Sequence, residues 1–362
     1  MTQPGIPQLN ALTGLRGVAA WLVVTYHFRE ALAPFVPAAV LAVAAHGALA
    51  VDLFFVMSGF IIALNYSKEF QAEGMHAYGR FLLLRLARIY PLHLFMLGLF
   101  VLYIGAASLA HHADEFERVD YLVASVFLVQ AWSPWTWLGW NVPAWSISTE
   151  MFAYLIFPVM AWIVMRRARG RAAAAAWLGG ALGVLMVVAP LFGGLSGELS
   201  QFALVRCVLE FFAGVLVHRL WELARRMPGG ANAMLLLGAL LIGAFALGAP
   251  DSLVMPGAFC CLIYGFAVPG TVPEWLLSRR PLVLLGTLSY ATYLSHFLIK
   301  YVIRLLFERP GIPYGVVFPA YVLTVLVVSW PLYELVEVPG RRALRRVADR
   351  LTAASRIQAA RR

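Results

Sequence analysis

LTGLRGVAAWLVVTYHF, Leu12 to Phe28, is an apolar run that carries two ionisable side chains, Arg16 and His27. Read as a helix, the eleven-residue step between them turns roughly 1100°, three full turns and about 20° more. The two therefore share one helix face, roughly 16 Å apart along the axis. An ionisable residue inside a membrane-spanning helix costs about 2.5–3.5 kcal/mol on insertion scales, so such residues point to function. Two on one face of the first helix point to an enzyme or a transporter rather than a passive anchor.

The rest of the chain supports a membrane setting. Of its 362 residues 62% are hydrophobic and 13% charged, whereas soluble domains average about 25% charged. The fold class expected is all-α, a polytopic integral-membrane helix bundle in the lipid bilayer. No small-residue cleavage site follows the first apolar run, so that run reads as a retained span. The net charge of +10 sits in short segments: Arg80 to Arg88, Arg166 to Arg171, Arg225 and Arg226, Arg279 and Arg280, and Arg341 to Arg350. That is the pattern of cytoplasmic loops, not of a nucleic-acid-binding surface. Cys207, Cys260 and Cys261 lie in apolar runs, so neither a disulfide framework nor a metal-ligand spacing is present.

Ten apolar runs are long enough to cross: 14–34, 47–66, 86–108, 147–165, 173–193, 202–220, 233–249, 253–270, 282–303 and 316–338. An eleventh, 119–131, is short and is followed by an uncharged stretch rich in Trp and Pro, Trp132 to Trp145. Counted as re-entrant or interfacial, it leaves every basic loop inside and both termini cytoplasmic, in a cell inner membrane. Arg304 and Arg309 then face outward, so an eleventh crossing is the alternative. On the preferred count residues 1–340 form the membrane domain and 341–362 a basic cytoplasmic tail near anionic lipid. The same count places His27, Asp52, Glu150 and His296 toward the outer side. Arg85 and Arg88, spaced i,i+3 on one helix face, lie at the inner end of the third span.

Five segments together resemble the integral-membrane acyltransferase family 3, whose members O-acylate sugars of polysaccharides, lipopolysaccharide and glycosylated small molecules. They are LTGLRG with His27, VDLFFVMSGFII (Val51 to Ile62), RLARIYPLH (Arg85 to His93), WSISTEMFAY (Trp145 to Tyr154) and GTLSYATYLSH (Gly286 to His296). A sixth, ELVEVPGRR (Glu334 to Arg342), also fits, and the order follows the family across residues 12 to 342. Thr13 departs from the pattern, standing where the family often carries an acid, and His93 stands where an aromatic is usual. The resemblance implies acyl-CoA, first of all acetyl-CoA, as co-substrate, with no metal. It further implies a carbohydrate or glycolipid acceptor and polysaccharide-assembly proteins as partners. Arg16 with His27, and Arg85 with Arg88, are the residues of interest.

Residue chemistry is compatible with that implication. A neutral His27 suits a base that takes a hydroxyl proton during attack on a thioester, or it carries the acyl group as a nucleophile. Arg85 and Arg88 present permanently charged forks suited to phosphates. Arg16 binds the same donor or stabilises an oxyanion. Glu150 or Asp52 orients an imidazole, and His296 joins the catalytic set.

Each residue also has a plainer reading. His27 and His296 fit interhelical hydrogen bonding, Arg85 and Arg88 positive-inside anchoring, and Asp52 a pair with Arg16 or a cap on the second helix. Glu150 fits a dipole partner at a helix start, and Gly59 close helix packing. The Trp132 to Trp145 stretch fits an interfacial belt, and His111, His112, Asp114 and Glu115 a solvated loop. A polytopic secondary transporter using the same buried charges is the rival function, but no internal repeat accompanies it. A non-catalytic membrane scaffold is a second rival, and it has no need of Arg16 and His27 on one face.

Overall fold

A computed structural model describes residues 9–109, 118–132, 138–195, 199–224, 227, 229–307 and 314–360. The cluster of His111, His112, Asp114 and Glu115, together with Arg225, Arg226 and Arg309, lies outside the described residues. Among the described residues there is helix and loop but no strand. Five continuous stretches are long and apolar enough to cross a membrane: Ala38–Leu109, Val142–Arg167, Arg171–Phe192, Arg280–Phe307 and Gly315–Leu351. The first of these holds more than one helix.

The chain begins with α1 (Asn10–His27), a 3-10 turn (Arg29–Leu32) and the short α2 (Ala38–Ala45). The run read as one span over 14–34 therefore stops as an α-helix at His27, and Pro34 and Pro37 lie between the 3-10 turn and α2. Next come α3 (Ala50–Glu73) and α4 (Tyr78–Leu109). α4 starts eight residues before the apolar run 86–108, and its early turns carry Arg80 and Arg85. Arg80 finds Glu69 of α3 at 3.1 Å, so these charges are compatible with a helix inside the fold.

α5 (Val119–Val126) has eight residues, about 12 Å of rise against a hydrocarbon core of about 30 Å, so it cannot cross. An irregular segment then leads into α6 (Trp145–Arg167). It contains left-handed backbone at two non-glycine residues, Leu128 (φ 57°) and Trp140 (φ 53°), positions where side chains are rarely found. Its described residues are tied to the rest of the protein at two points: Ser148 Oγ donates to the Leu128 carbonyl at 2.8 Å and Asn141 Nδ2 donates to the Leu294 carbonyl at 3.0 Å. Trp140 and Trp145 are accordingly buried rather than set in a lipid belt, and the Trp140 indole N–H is satisfied by the Arg118 carbonyl at 3.1 Å.

The remainder comprises α7 (Arg171–Val188), α8 (Leu199–Ala224), α9 (Gly230–Ala246), α10 (Asp251–Phe266), the short α11 (Val272–Leu277), α12 (Arg280–Phe307) and α13 (Tyr314–Pro331). A π-helical turn (Leu332–Glu337) joins α13 to α14 (Val338–Ala360). Exposed apolar side chains on α7 and α9, such as Val187, Leu236 and Leu240, face outward as lipid-facing residues do.

Two helix pairs position the site, α1 against α12 and α3 against α8. The second pair is closed by glycine. A methyl group at Gly59 would collide with the Phe211 carbonyl, and one at Gly214 with that of Val56. Small residues of this kind let membrane helices approach backbone to backbone.

Candidate active site

Four of these helices, α1, α3, α4 and α12, together with α6, surround a cavity of about 200 Å³. Its charged lining is Arg16, Arg85, Arg88 and Glu150, and its neutral polar lining includes Ser58, Tyr154, Tyr290 and Tyr293. Arg16 stands half-buried on α1 and makes no hydrogen bond or ion pair among the described residues. Glu150 is the acid that shares the cavity with it.

The α4 arginines reach the cavity from one helix face. Arg85 Nη2 donates to the Tyr66 hydroxyl at 2.5 Å, and its guanidinium carbon lies 4.9 Å above the Tyr66 ring, while its buried Nε has no partner. Arg88 Nη1 is paired with Glu337 Oε1, and its guanidinium carbon lies 4.9 Å above the Tyr290 ring. Glu150 Oε1 accepts from Ser58 Oγ and from the Tyr154 hydroxyl, the latter at 2.5 Å. Glu150 is thus bound to hydroxyls and orients no imidazole.

His27 does not line the cavity; it sits at the end of α1 against α12. Its Nδ1 lies 3.0 Å from the Val23 carbonyl and 3.2 Å from His296 Nε2, and His296 Nδ1 lies 2.6 Å from the Tyr293 carbonyl. Carbonyls only accept, so neutral rings on these partners have one consistent arrangement of protons. His296 donates from Nδ1 and accepts at Nε2, and His27 donates from Nδ1. The His27 Nε2 lone pair is then left free, and that nitrogen makes no hydrogen bond among the described residues. Tyr293, one helical turn from His296, belongs to the cavity wall and bonds Ser146 Oγ at 2.8 Å.

Of the residues singled out in the sequence, Arg16, Arg85, Arg88 and Glu150 meet at the cavity, and His27 meets His296 beside it. Asp52 stands apart. It is fully buried between α3 and α8, where both its oxygens bond Arg206, itself 3% exposed. It neither pairs with Arg16 nor touches either imidazole. Glu210, one turn along α8 from Arg206, is also fully buried, with neither oxygen hydrogen-bonded. Arg206 and Glu210 carry the same signal that drew attention to Arg16, ionisable residues in an apolar helix. Among the described residues no group of three His, Cys, Asp or Glu converges as metal ligands do.

Residues 9–334 match the acyltransferase domain of acyltransferase family 3. The chain belongs to this family, and it is a membrane O-acyltransferase. It is similar to acyltransferase MdmB of Streptomyces mycarofaciens, at 30% identity over 95% of this chain and 94% of that protein. It is also similar to a Staphylococcus aureus (strain COL) protein named "Putative O-acetyltransferase", at 23% identity over 92% of this chain. The chain spans 57% of that longer relative. No solved structure matches.

Proposed function

We propose that the protein transfers an acyl group, acetyl in the first instance, from acyl-CoA to a hydroxyl of a surface or exported carbohydrate. The observation that carries this reading is one cavity holding three arginines against a single lining carboxylate. Even with Arg88 paired to Glu337 behind the wall, positive charge exceeds negative there, which suits an anionic ligand. The phosphates of CoA lie at one end of its pantetheine arm and the thioester at the other. In this reading Arg85, Arg88 and Arg16 hold the phosphate end and His27 serves the thioester end.

The chemistry balances with His27 as a general base. His27 Nε2 takes the proton of the acceptor hydroxyl as its oxygen attacks the thioester carbonyl carbon. The C–S bond breaks, the ester forms, and the leaving thiolate takes the proton back from the imidazolium, giving free CoA. His296 fixes the tautomer that leaves Nε2 bare, the orienting role of the third member of a triad. Asp52, paired with Arg206, acts here through the packing of α3 rather than on the substrate.

Positive loops on one side support an inner-membrane location with both termini cytoplasmic, so that the donor enters from the cytoplasm. The acceptor class is tested by mass spectrometry of surface glycans from cells with and without the gene. A lost ester, restored by the wild-type chain and not by His27→Ala, is the expected result. An unchanged ester pattern would rule out a surface carbohydrate as acceptor.

A further inference from the structure

Glu337 is a charged group beside the cavity that the proposed chemistry does not use. It is 1% exposed and closes the π-helical turn Leu332–Glu337, which Pro331 and Pro339 flank. Prolines lack the N–H that would close an ordinary α-turn, and isolated π-turns within α-helices gather at functional sites. Glu337 Oε1 holds Arg88 Nη1 and lies 3.6 Å from Arg341 Nη1, while Oε2 has no partner.

The consequence lies with Arg88. Glu337 grips one end of its guanidinium and Tyr290 lies beneath it. Arg88 Nε and Nη2 make no hydrogen bond among the described residues, and the residue lines the cavity. A planar guanidinium held at one nitrogen presents its remaining donors in a fixed direction. Separating a buried carboxylate from its cation is strongly unfavourable, so an arriving anion meets Arg88 already oriented and still paired. The next turn reinforces the arrangement, since Gly340 abuts Pro91 of α4 so closely that a methyl group there would collide with the ring.

We propose that Glu337 is a positioning residue for anion binding. It holds Arg88 over Tyr290 so that Nε and Nη2 face the cavity and, beside Arg85, receive a phosphate group of the ligand. This rests on the acyl-CoA reading only in taking that phosphate to be the donor's.

The test uses the purified full chain, measuring acetyl-CoA KM and kcat, the Kd of inorganic pyrophosphate, and the thermal midpoint. Glu337→Ala should raise the acetyl-CoA KM and the pyrophosphate Kd about tenfold while kcat stays within about twofold. Glu337→Asp should recover most of the loss. The reversal Arg88→Glu with Glu337→Arg should restore the thermal midpoint and leave both constants raised. A reversal that restores binding as well as stability would make the pair a mere strut and overturn the proposal. So would Glu337→Asp and Glu337→Ala variants that bind like wild type, or a wild-type chain that does not bind pyrophosphate. If pyrophosphate binding follows the expected pattern while acetyl-CoA is not a substrate, the positioning role stands and the donor reading fails.

Discussion

At the scale of single residues, the central feature is a short chain of imidazoles. His296 is bonded to the Tyr293 carbonyl on one side and to His27 on the other. His296→Ala should lower kcat about a hundredfold with little change in donor KM, since it frees the His27 ring and its tautomer without touching the cavity's cations. His296→Gln, whose side-chain oxygen can still accept from His27 Nδ1, should recover part of that loss in the same steady-state assay. A raised donor KM with unchanged kcat would instead place His296 in binding. The Arg16–His27 relation was legible in the sequence because helix geometry fixes it; Arg16 lines the cavity and His27 touches His296 of α12. The partner of Asp52 was not, because Arg206 lies 154 positions away and only the packing of α3 on α8 brings them together.

At the scale of elements, that α3–α8 contact carries Ser58 to Glu150. Arg206→Met leaves Asp52 buried without its cation and should cost about 3–5 kcal/mol of stability, seen as a lower thermal midpoint. Adding Asp52→Leu to the same chain should recover much of that loss, since replacing a buried ion pair by apolar groups is often close to neutral. Gly59→Leu, which must push apart two touching backbones, should destabilise by at least the ~1–3 kcal/mol of an overpacked core. It should also reduce activity through Ser58. A Gly59→Leu chain with wild-type midpoint would contradict the close approach. The apolar runs announced these helices plainly. The sequence marked 119–145 as re-entrant or interfacial, but the π-turn before α14 was not legible, because it depends on side-chain pairing rather than on local periodicity.

At the scale of the whole molecule, Arg16 and His27 lie at different levels along α1, roughly 16 Å apart in helix rise, with Tyr293 of the cavity wall bonded through its carbonyl to His296. In the proposed mechanism this arrangement divides the work: anion recognition among three arginines, and proton handling where His27 meets His296. Charge placement in the sequence gives this division a direction, with the arginine end toward the basic loops. Epitope tags at the two termini should therefore be cleaved together by added protease in inverted membrane vesicles and be protected together in right-side-out ones. Opposite protection of the two tags would overturn the even count of crossings.

The most direct measurement follows labelled acetyl from acetyl-CoA into carbohydrate, using the purified chain, a glycan extract as acceptor, and His27→Ala as comparison. The wild-type protein should transfer label, and His27→Ala should bind acetyl-CoA as before yet transfer at least a hundredfold less. Full transfer by His27→Ala would contradict the role given to the first helix.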